Sequence, residues 1–526
     1  MRSDRSRALD HVVLVLFENR SFDNLLGHLY GPEDGKSFEG VIGKDLSNPI
    51  PEWAEHGAER KTVPYTVATD MDAPNPDSGE EYYHTNTQLF NTLDEHNRFK
   101  IGEAVSAPWN VPPPGSEPTM GGFVTDYIST FTAEVGRQPT YEEYAQIMTG
   151  YTPEQVPVLN GIAKAFGVFD HWFSEVPSQT FMNRSFWTAG TSSGFVTNTP
   201  AKKWTTENTA ETLFNRLEAH GRSWKVYVAE PMQVSFTGWI HMPQLKDRLA
   251  THFVPFSEFE RDAANGTLPD FSLIEPNLIA GHGDYHPACG RSFIGGDVNV
   301  AVDPPSSIVA GENFLARIYR AIKAADSAEG SNAYNTTFFI GWDEPGGTYD
   351  HVPPGPAAPP DSGAPKGQCD FSFDRSGYRV PAVIVSPWVD EGIVINEEHR
   401  HTSLLATLRK VWDLGDPFTD RDAVARSFEY VLSREIPRDP ATWPEMHPKP
   451  LPDWQLTKAA YGEAISTLGK AIGPGFIEHA RQSGRPIPAE LTDPDHPPTP
   501  EQLVDFVRGI AATYFPGLVP SEAQDS

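Results

Sequence analysis

An apolar run from Val12 to Phe17 stops abruptly at Glu18-Asn19-Arg20-Ser21-Phe22-Asp23. A run this rich in β-branched residues, bounded by polar ones, predicts a strand buried on both faces, the habit of parallel sheets. In open α/β sheets, ligands bind just beyond the carboxyl ends of the strands. Glu18 and Asn19 therefore stand where a site is expected. A carboxylate and an amide at a buried strand end need a partner, and a hard cation is the natural one. Two plainer readings stand beside this one: Glu18 pairs with Arg20, or it caps a helix that begins near Ser21.

The same pattern recurs down the chain. Thr152, with Pro153 and Gln155, has the form of a capping box, and Val156, Leu159, Ile162, Ala163 and Phe166 follow at helical spacing. Residues 168–176 read as a strand that ends in Pro177-Ser178-Gln179-Thr180, and 181–189 read as a helix. Thr180 is thus expected at a strand-to-helix turn, at the positive end of a helix. A helix over 208–220 and a strand over 223–229 follow. Residues 271–276 form another strand candidate, leading into a loop that holds His282 and His286. A helix is expected over 311–325. The strand Thr336 to Trp342 then runs into Asp343-Glu344-Pro345-Gly346-Gly347, with His351 shortly after. A strand at 380–386 and a helix at 402–412 close the series. Helices alternating with buried strands predict a mostly parallel sheet with helices on both faces.

Residues 30–140 are rich in Pro, Gly, Asp and Asn, show few periodic segments, and read as a loop-rich insertion. Residues 1–435 are expected to form the catalytic domain. Residues 436–526 read as a Pro-rich, partly helical extension packed on it, with helices near 454–480 and 500–513.

The formal net charge of the 526-residue chain is −30. Nucleic-acid binding needs a basic footprint and is excluded as a function class. Phosphate chemistry on an acidic chain requires a local cation to reverse the field. No run of apolar residues is long enough to span a membrane, and no secretory signal opens the chain. The expectation is a cytoplasmic protein, or a mature form exported by another route. The two cysteines, Cys289 and Cys369, make neither a disulfide scaffold nor a cysteine zinc site, and whether they pair stays open.

Three strand ends offer oxygen ligands: Glu18 with Asn19, Thr180, and Asp343 with Glu344. Crowded carboxylates raise one another's pKa, so one divalent cation is the economical explanation. A hydroxyl bound to such a cation is deprotonated more easily and becomes a nucleophile. A histidine would protonate the leaving oxygen, with His84, His282, His286 and His351 as candidates.

Several segments resemble, in order, the phosphoesterase family that contains bacterial phospholipases C and related acid phosphatases, within the alkaline-phosphatase-like superfamily. They are HVVLVLFENRSFDN at 11–24, HTNTQLF at 84–90, the stretch 150–184, IEP at 274–276, GWDEPGGTYDHVPP at 341–354, and 373–389 with HTSLL at 401–405. The resemblance implies an α/β/α sandwich around a mostly parallel sheet, with long loop insertions. It implies a phosphoric ester hydrolase with Glu18, Asn19, Thr180, Asp343 and Glu344 on one divalent metal ion: Ca²⁺, Mg²⁺, Mn²⁺, Zn²⁺ or iron. Thr180 would be the nucleophile that forms a phosphothreonine. His84, His286 and His351 would line the phosphoryl pocket, with His282 competing for the place of His286. Asn183 and Arg184 would support them. The family commonly has Gly-Pro before the nucleophile, and this chain has Ser178-Gln179. The implied substrate is a phosphate ester, either a phospholipid diester or a monoester as in the acid phosphatases. Gly190-Thr191-Ser192-Ser193-Gly194 also satisfies the nucleophile-elbow pattern of serine acyl hydrolases, which requires a strand just before it.

Overall fold

The protein is described by a computed structural model that covers residues 4–199, 203–230, 234–278, 283–287, 292–293, 299–300, 308–361, 363, 365–451, 509 and 512–518. Its central sheet has eight strands: β1 (His11–Phe17), β2 (Gly167–Phe169), β3 (Trp224–Val228), β4 (Phe253–Pro255), β5 (Phe271–Glu275), β6 (Thr336–Trp342), β7 (Ala382–Val385) and β8 (Ile393–Ile395). Their order across the sheet is β8-β2-β7-β6-β1-β5-β3-β4. All neighbours are parallel except the two pairs made by β7. The apolar run at 12–17 is the middle of this sheet and is buried along its length.

Helices cover both faces. They include α1 (Tyr82–Phe90), α2 (Phe123–Val135), α3 (Pro157–Ala165), α4 (Thr180–Ala189), α5 (Ile308–Ala324) and α6 (Thr402–Trp412). The pair α4 and α6 packs on the face that carries Leu16, Phe339 and Gly341. A Cβ at Gly341 would lie 2.9 Å from the Trp187 ring, so only glycine lets α4 close on the sheet here. The opposite face carries Phe17 and Trp342, and Tyr285 sits on both, with ring centroids 4.8 and 5.3 Å away. The Tyr285 hydroxyl donates to Glu312 of α5 at 2.7 Å. The result is the three-layer α/β/α arrangement that the alternation of elements predicts.

The departures from expectation have physical causes. Thr152 and Gln155 close a turn, but α3 starts later, at Pro157. Its orphan N–H groups at Val158 and Leu159 donate to the carboxylate of Glu312, at 2.5 and 2.9 Å. The cap comes from a distant helix, which local spacing does not show. The strand expected over 168–176 breaks after Phe169, where Asp170 turns its carboxylate to the Glu39 N–H and to Asn396. The insertion at 30–140 holds α1 and α2 and has its own apolar core of Leu89, Phe123, Tyr127, Ile128, Phe131 and Tyr144, closed by Tyr349 and Tyr378. Trp443 packs on Phe166, and Phe515 packs on Phe253 at the sheet edge. The helix expected at 454–480 lies outside the described residues, as does that at 500–513 apart from residues 509 and 512–513. His282 and Cys289 lie outside them too, and Cys369 is a free thiol.

Glu312 is fully buried, and burial pushes its carboxyl up to about 7. Replacing it leaves two amides and a phenol without their acceptor. Glu312→Ala is expected to lower unfolding stability by roughly 2–4 kcal/mol, and Glu312→Gln by less because it retains an acceptor. Urea denaturation of the three proteins checks this.

Candidate active site

Parallel register sets the geometry. Phe17 pairs with Trp342, and the Asp343 N–H donates to the Phe17 carbonyl at 3.2 Å. Glu18 and Asp343 therefore leave the sheet side by side. Asn19 takes a left-handed conformation (φ 58°), which asparagine tolerates better than most residues. A Cβ on Gly346 would run into the Asn19 carbonyl, so the two turns can pack only with glycine there.

Arg184 spans the two strand ends. Its Nε donates to Asp343 Oδ2 at 3.1 Å, its Nη2 lies 3.1 Å from Glu18 Oε1, and Nη2 also donates to the Leu16 carbonyl. Burial opposes its charge, and Asp343 and Glu18 outweigh that opposition. Thr180 stands four residues earlier on α4, hence one turn away on the same face. The approach to Thr180 is rigid. Asn183 accepts the N–H groups of Glu175 and Val176 and donates to the carbonyls of Val176, Ser178 and Gln179. Ser178 and Gln179 bind the loop ahead of them: Ser178 donates to the Val196 carbonyl, and Gln179 accepts the Asn198 N–H.

Burial dominates the carboxylates. It pushes Asp343 up to about 6, and it holds Glu18 and Glu344 well above the usual carboxylate range, with Asp343 adding to both. Asn19 Oδ1 and Glu344 Oε1 are buried without a hydrogen-bond partner, and Glu18 Oε1 faces the Arg184 guanidinium. All three oxygens belong to the expected ligand set, and an oxygen-only shell of this kind suits a hard cation.

The Asn19 amide is oriented by its neighbours. His286 Nδ1 faces the Pro287 carbonyl at 2.9 Å, so Nδ1 carries the proton. In the neutral ring Nε2 is then an acceptor, and it receives Asn19 Nδ2 at 2.8 Å. The same Nδ2 also donates to Glu80. Both amide protons are used, and Oδ1 is left over.

The other two histidines are held elsewhere. His84 Nδ1 lies 2.8 Å from Asp126, which also accepts from Gln88, and His84 Nε2 lies 3.5 Å from Glu81. Burial works against the charged ring, but Asp126 outweighs it and the His84 pKa is raised. His351 Nδ1 lies 2.6 Å from Asp23, and its Nε2 lies 2.9 Å from Glu39. Among the described contacts, none joins His84 or His351 to Glu18, Asn19, Thr180, Asp343 or Glu344. Among the described residues, two His/Asp/Glu groups have the spacing of a metal site: Asp77, Glu80 and His286, and Asp23, Asp350 and His351.

A profile of the phosphoesterase family matches residues 9–415. The chain belongs to the phosphoesterase family. Non-specific phospholipase C6 of Arabidopsis thaliana is similar, at 31% identity over 524 residues, 96% of this chain and 86% of that protein. Non-specific phospholipase C3 of the same plant is 31% identical over 83% of this chain and 76% of its own. Phospholipase C B of Mycobacterium tuberculosis is 24% identical over 89% of this chain and 85% of its own. A solved protein of the alkaline phosphatase superfamily from Vibrio parahaemolyticus is similar at 13% identity and a TM-score of 0.29, over 63% of this chain and 83% of that one. This phosphoesterase is an enzyme that hydrolyses phosphoric esters. Among its described residues, no helix is long and apolar enough to cross a membrane.

Two further features of the phosphoesterase site escape sequence reasoning. Asp126 lies 42 residues from the histidine it holds. His401 is fully buried and stacked on Trp187 at 4.5 Å between ring centroids. Trp172 donates to its Nδ1, so its Nε2 carries the proton and donates to the Asp343 carbonyl at 2.6 Å. Burial pushes its pKa down to about 4, which keeps the ring neutral. With Asp343 Oδ1 accepting the Glu344 N–H at 2.7 Å, the peptide between the two acids is held at both ends. The HTSLL segment was the only sign of this in the sequence.

The nucleophile-elbow reading fails on geometry. Helix α4, not a strand, precedes Ser192, and Ser192 Oγ donates to the Phe195 carbonyl at 2.7 Å. Ser192→Ala is expected to leave ester hydrolysis intact and to cost about 1 kcal/mol of stability for the lost hydrogen bond. Asp126→Asn removes the charge that raises the His84 pKa, and an NMR titration of the imidazole should show that pKa moving down.

Proposed function

We propose that this phosphoesterase is a cation-dependent phosphodiesterase of the phospholipase C type, acting through a covalent phosphothreonine at Thr180. The observation that carries the reading is the position of Thr180, one helical turn from the guanidinium that spans Glu18 and Asp343. Two orphan ligand oxygens, on Asn19 and Glu344, and the phospholipase C relatives support it. Glu18, Asn19, Thr180, Asp343 and Glu344 would hold the divalent cation, which supplies charge stabilisation at the phosphoryl group and lowers the pKa of the threonine hydroxyl.

Thr180 Oγ1 attacks phosphorus in line with the leaving alcohol and gives up its proton to solvent. The P–O bond to that alcohol breaks, and the alkoxide takes a proton. His84 suits the role of donor, because Asp126 orients the ring and raises its pKa. The phosphoryl group, still carrying its head group, is then bonded to Thr180. Water attacks it, loses its proton to the now neutral His84, and the O–P bond to Thr180 breaks. The threonine leaves with a proton from solvent. His286 holds the Asn19 amide, and His351 stays on Asp23 and Glu39.

The test is a panel of monoesters and diesters, phosphatidylcholine included, with and without chelator, on the parent and on Thr180→Ala. Diester cleavage is expected to fall at least roughly 10³-fold in Thr180→Ala, as for loss of other covalent nucleophiles, and to be lost with chelator. Rapid quench of the parent should trap phosphate on Thr180. Monoester cleavage alone would make the enzyme an acid phosphatase on the same site. Turnover without label on Thr180 would sink the covalent route.

A further inference from the structure

We propose that Asp77, Glu80 and His286 hold a second divalent cation beside the one assigned to Glu18, Asn19, Thr180, Asp343 and Glu344. The first observation is geometric. One ligand atom from each of the three side chains lies within 4.8 Å of the others, and Asp77 and His286 are buried. His286 Nε2 stands 3.6 Å from Asp77 Oδ2 and 3.7 Å from Glu80 Oε1. Those separations are too long for hydrogen bonds, and the Asn19 amide nitrogen bridges His286 and Glu80 in the place an ion would take.

The second observation is an orphan carboxylate on the same side. Glu344 is buried, with one oxygen bound to the Gly346 N–H and Oε1 without a hydrogen-bond partner. Glu344 lies close enough to Glu80 and Asp77 for the charges of these groups to act on one another.

The third is charge. Glu18, Asp77, Glu80, Glu81, Asp284, Asp343 and Glu344 form a connected set of carboxyl groups, and Arg20 and Arg184 are set against them. Carboxyl groups outnumber the guanidinium groups in this buried volume, and a divalent cation would offset their mutual repulsion. Asp23, Asp350 and His351 are the natural control. They have the same donor types and spacing, but Arg379 already fills the place of a cation, at 2.8 Å from Asp23 and 2.9 Å from Asp350.

Loading this site would exchange the Asn19–His286 hydrogen bond for coordination of Nε2, while Asn19 keeps Glu80. A nitrogen with two carboxylates favours Mn²⁺, Fe²⁺ or Zn²⁺ over Ca²⁺. The proposal rests on the first-site reading only for its neighbour, so the test separates the two. Stripped enzyme is loaded with MnCl₂, freed of excess, and its bound manganese counted, with electron paramagnetic resonance reporting spin coupling. The parent is expected to bind two Mn²⁺ per chain, and Asp77→Asn, Glu80→Gln and Asp343→Asn one each. Thermal melts confirm folding, and the two near-isosteric changes at the new site back each other up. One Mn²⁺ in the parent, kept in Asp77→Asn and Glu80→Gln but lost in Asp343→Asn, overturns the second site and leaves the first. One Mn²⁺ lost in Asp77→Asn and kept in Asp343→Asn overturns the first-site reading instead. No bound Mn²⁺ overturns both.

Discussion

Arg184 is the ion that lets two carboxylates leave adjacent strands into a dry interior. Burying an unpaired carboxylate costs several kcal/mol, and a single cation shared by Glu18 and Asp343 offsets part of that for both. The arginine is positioned by packing. Gly341 lets Trp187 come down on the sheet, Trp187 sets the height of α4, and α4 carries Arg184 to the strand ends. Thr180, one turn back, is delivered by the same motion. A buried ion pair is a poor source of stability compared with apolar packing. Its presence at the carboxyl ends of the two central strands is therefore better explained by chemistry than by folding.

Two groups with the same donors show how the fold separates structure from function. At Asp23 and Asp350 the counter-ion is built in. Arg379 bonds both acids and the carbonyls of Glu39 and Asp170, and tethers the insertion to the sheet. Nothing in that cluster needs an exchangeable ion. Around Glu80 and Glu344 the described arginines do not suffice, and orphan oxygens remain. An arginine fixes charge permanently, whereas a bound cation can also meet a phosphoryl oxygen.

Local pattern is enough to reveal what depends on local pattern. The strands at Val12–Phe17 and Thr336–Trp342 are unbroken apolar runs, and α6 carries a clear apolar stripe, so the central strands and that helix were legible from periodicity. The places of Glu18, Asn19, Asp343 and Glu344 at the strand ends were legible too, because a charge that ends such a run stands out. Helix α1 was not legible. Its sequence, YYHTNTQLF, is buried almost all round, and polar groups fill its contacts by hydrogen bonding rather than by an apolar face. The pairing of His84 with Asp126, the capping of α3 by Glu312 and the grip of His401 on the Asp343 carbonyl all join distant segments. None has a period or a spacing, and only the folded chain reveals them. His351 shows the converse. Its place after the Gly-Gly turn pointed to the strand-end acids, but the left-handed glycines at 346 and 347 reverse the chain, and the ring meets Asp23 instead.

The acidity of the chain and the charge of its substrate now bear on each other. A protein of net charge −30 repels a phosphate ester at long range, and screening by salt removes only part of that field. Within the pocket the excess carboxylates would repel it more strongly, because the interior screens less. In the proposed reading, an anion settles against Thr180 only when a bound cation adds to the positive charge of Arg20 and Arg184. The carboxylates that repel phosphate would then be the same groups that gather cations, and substrate affinity would follow cation occupancy before any direct contact between protein and phosphate.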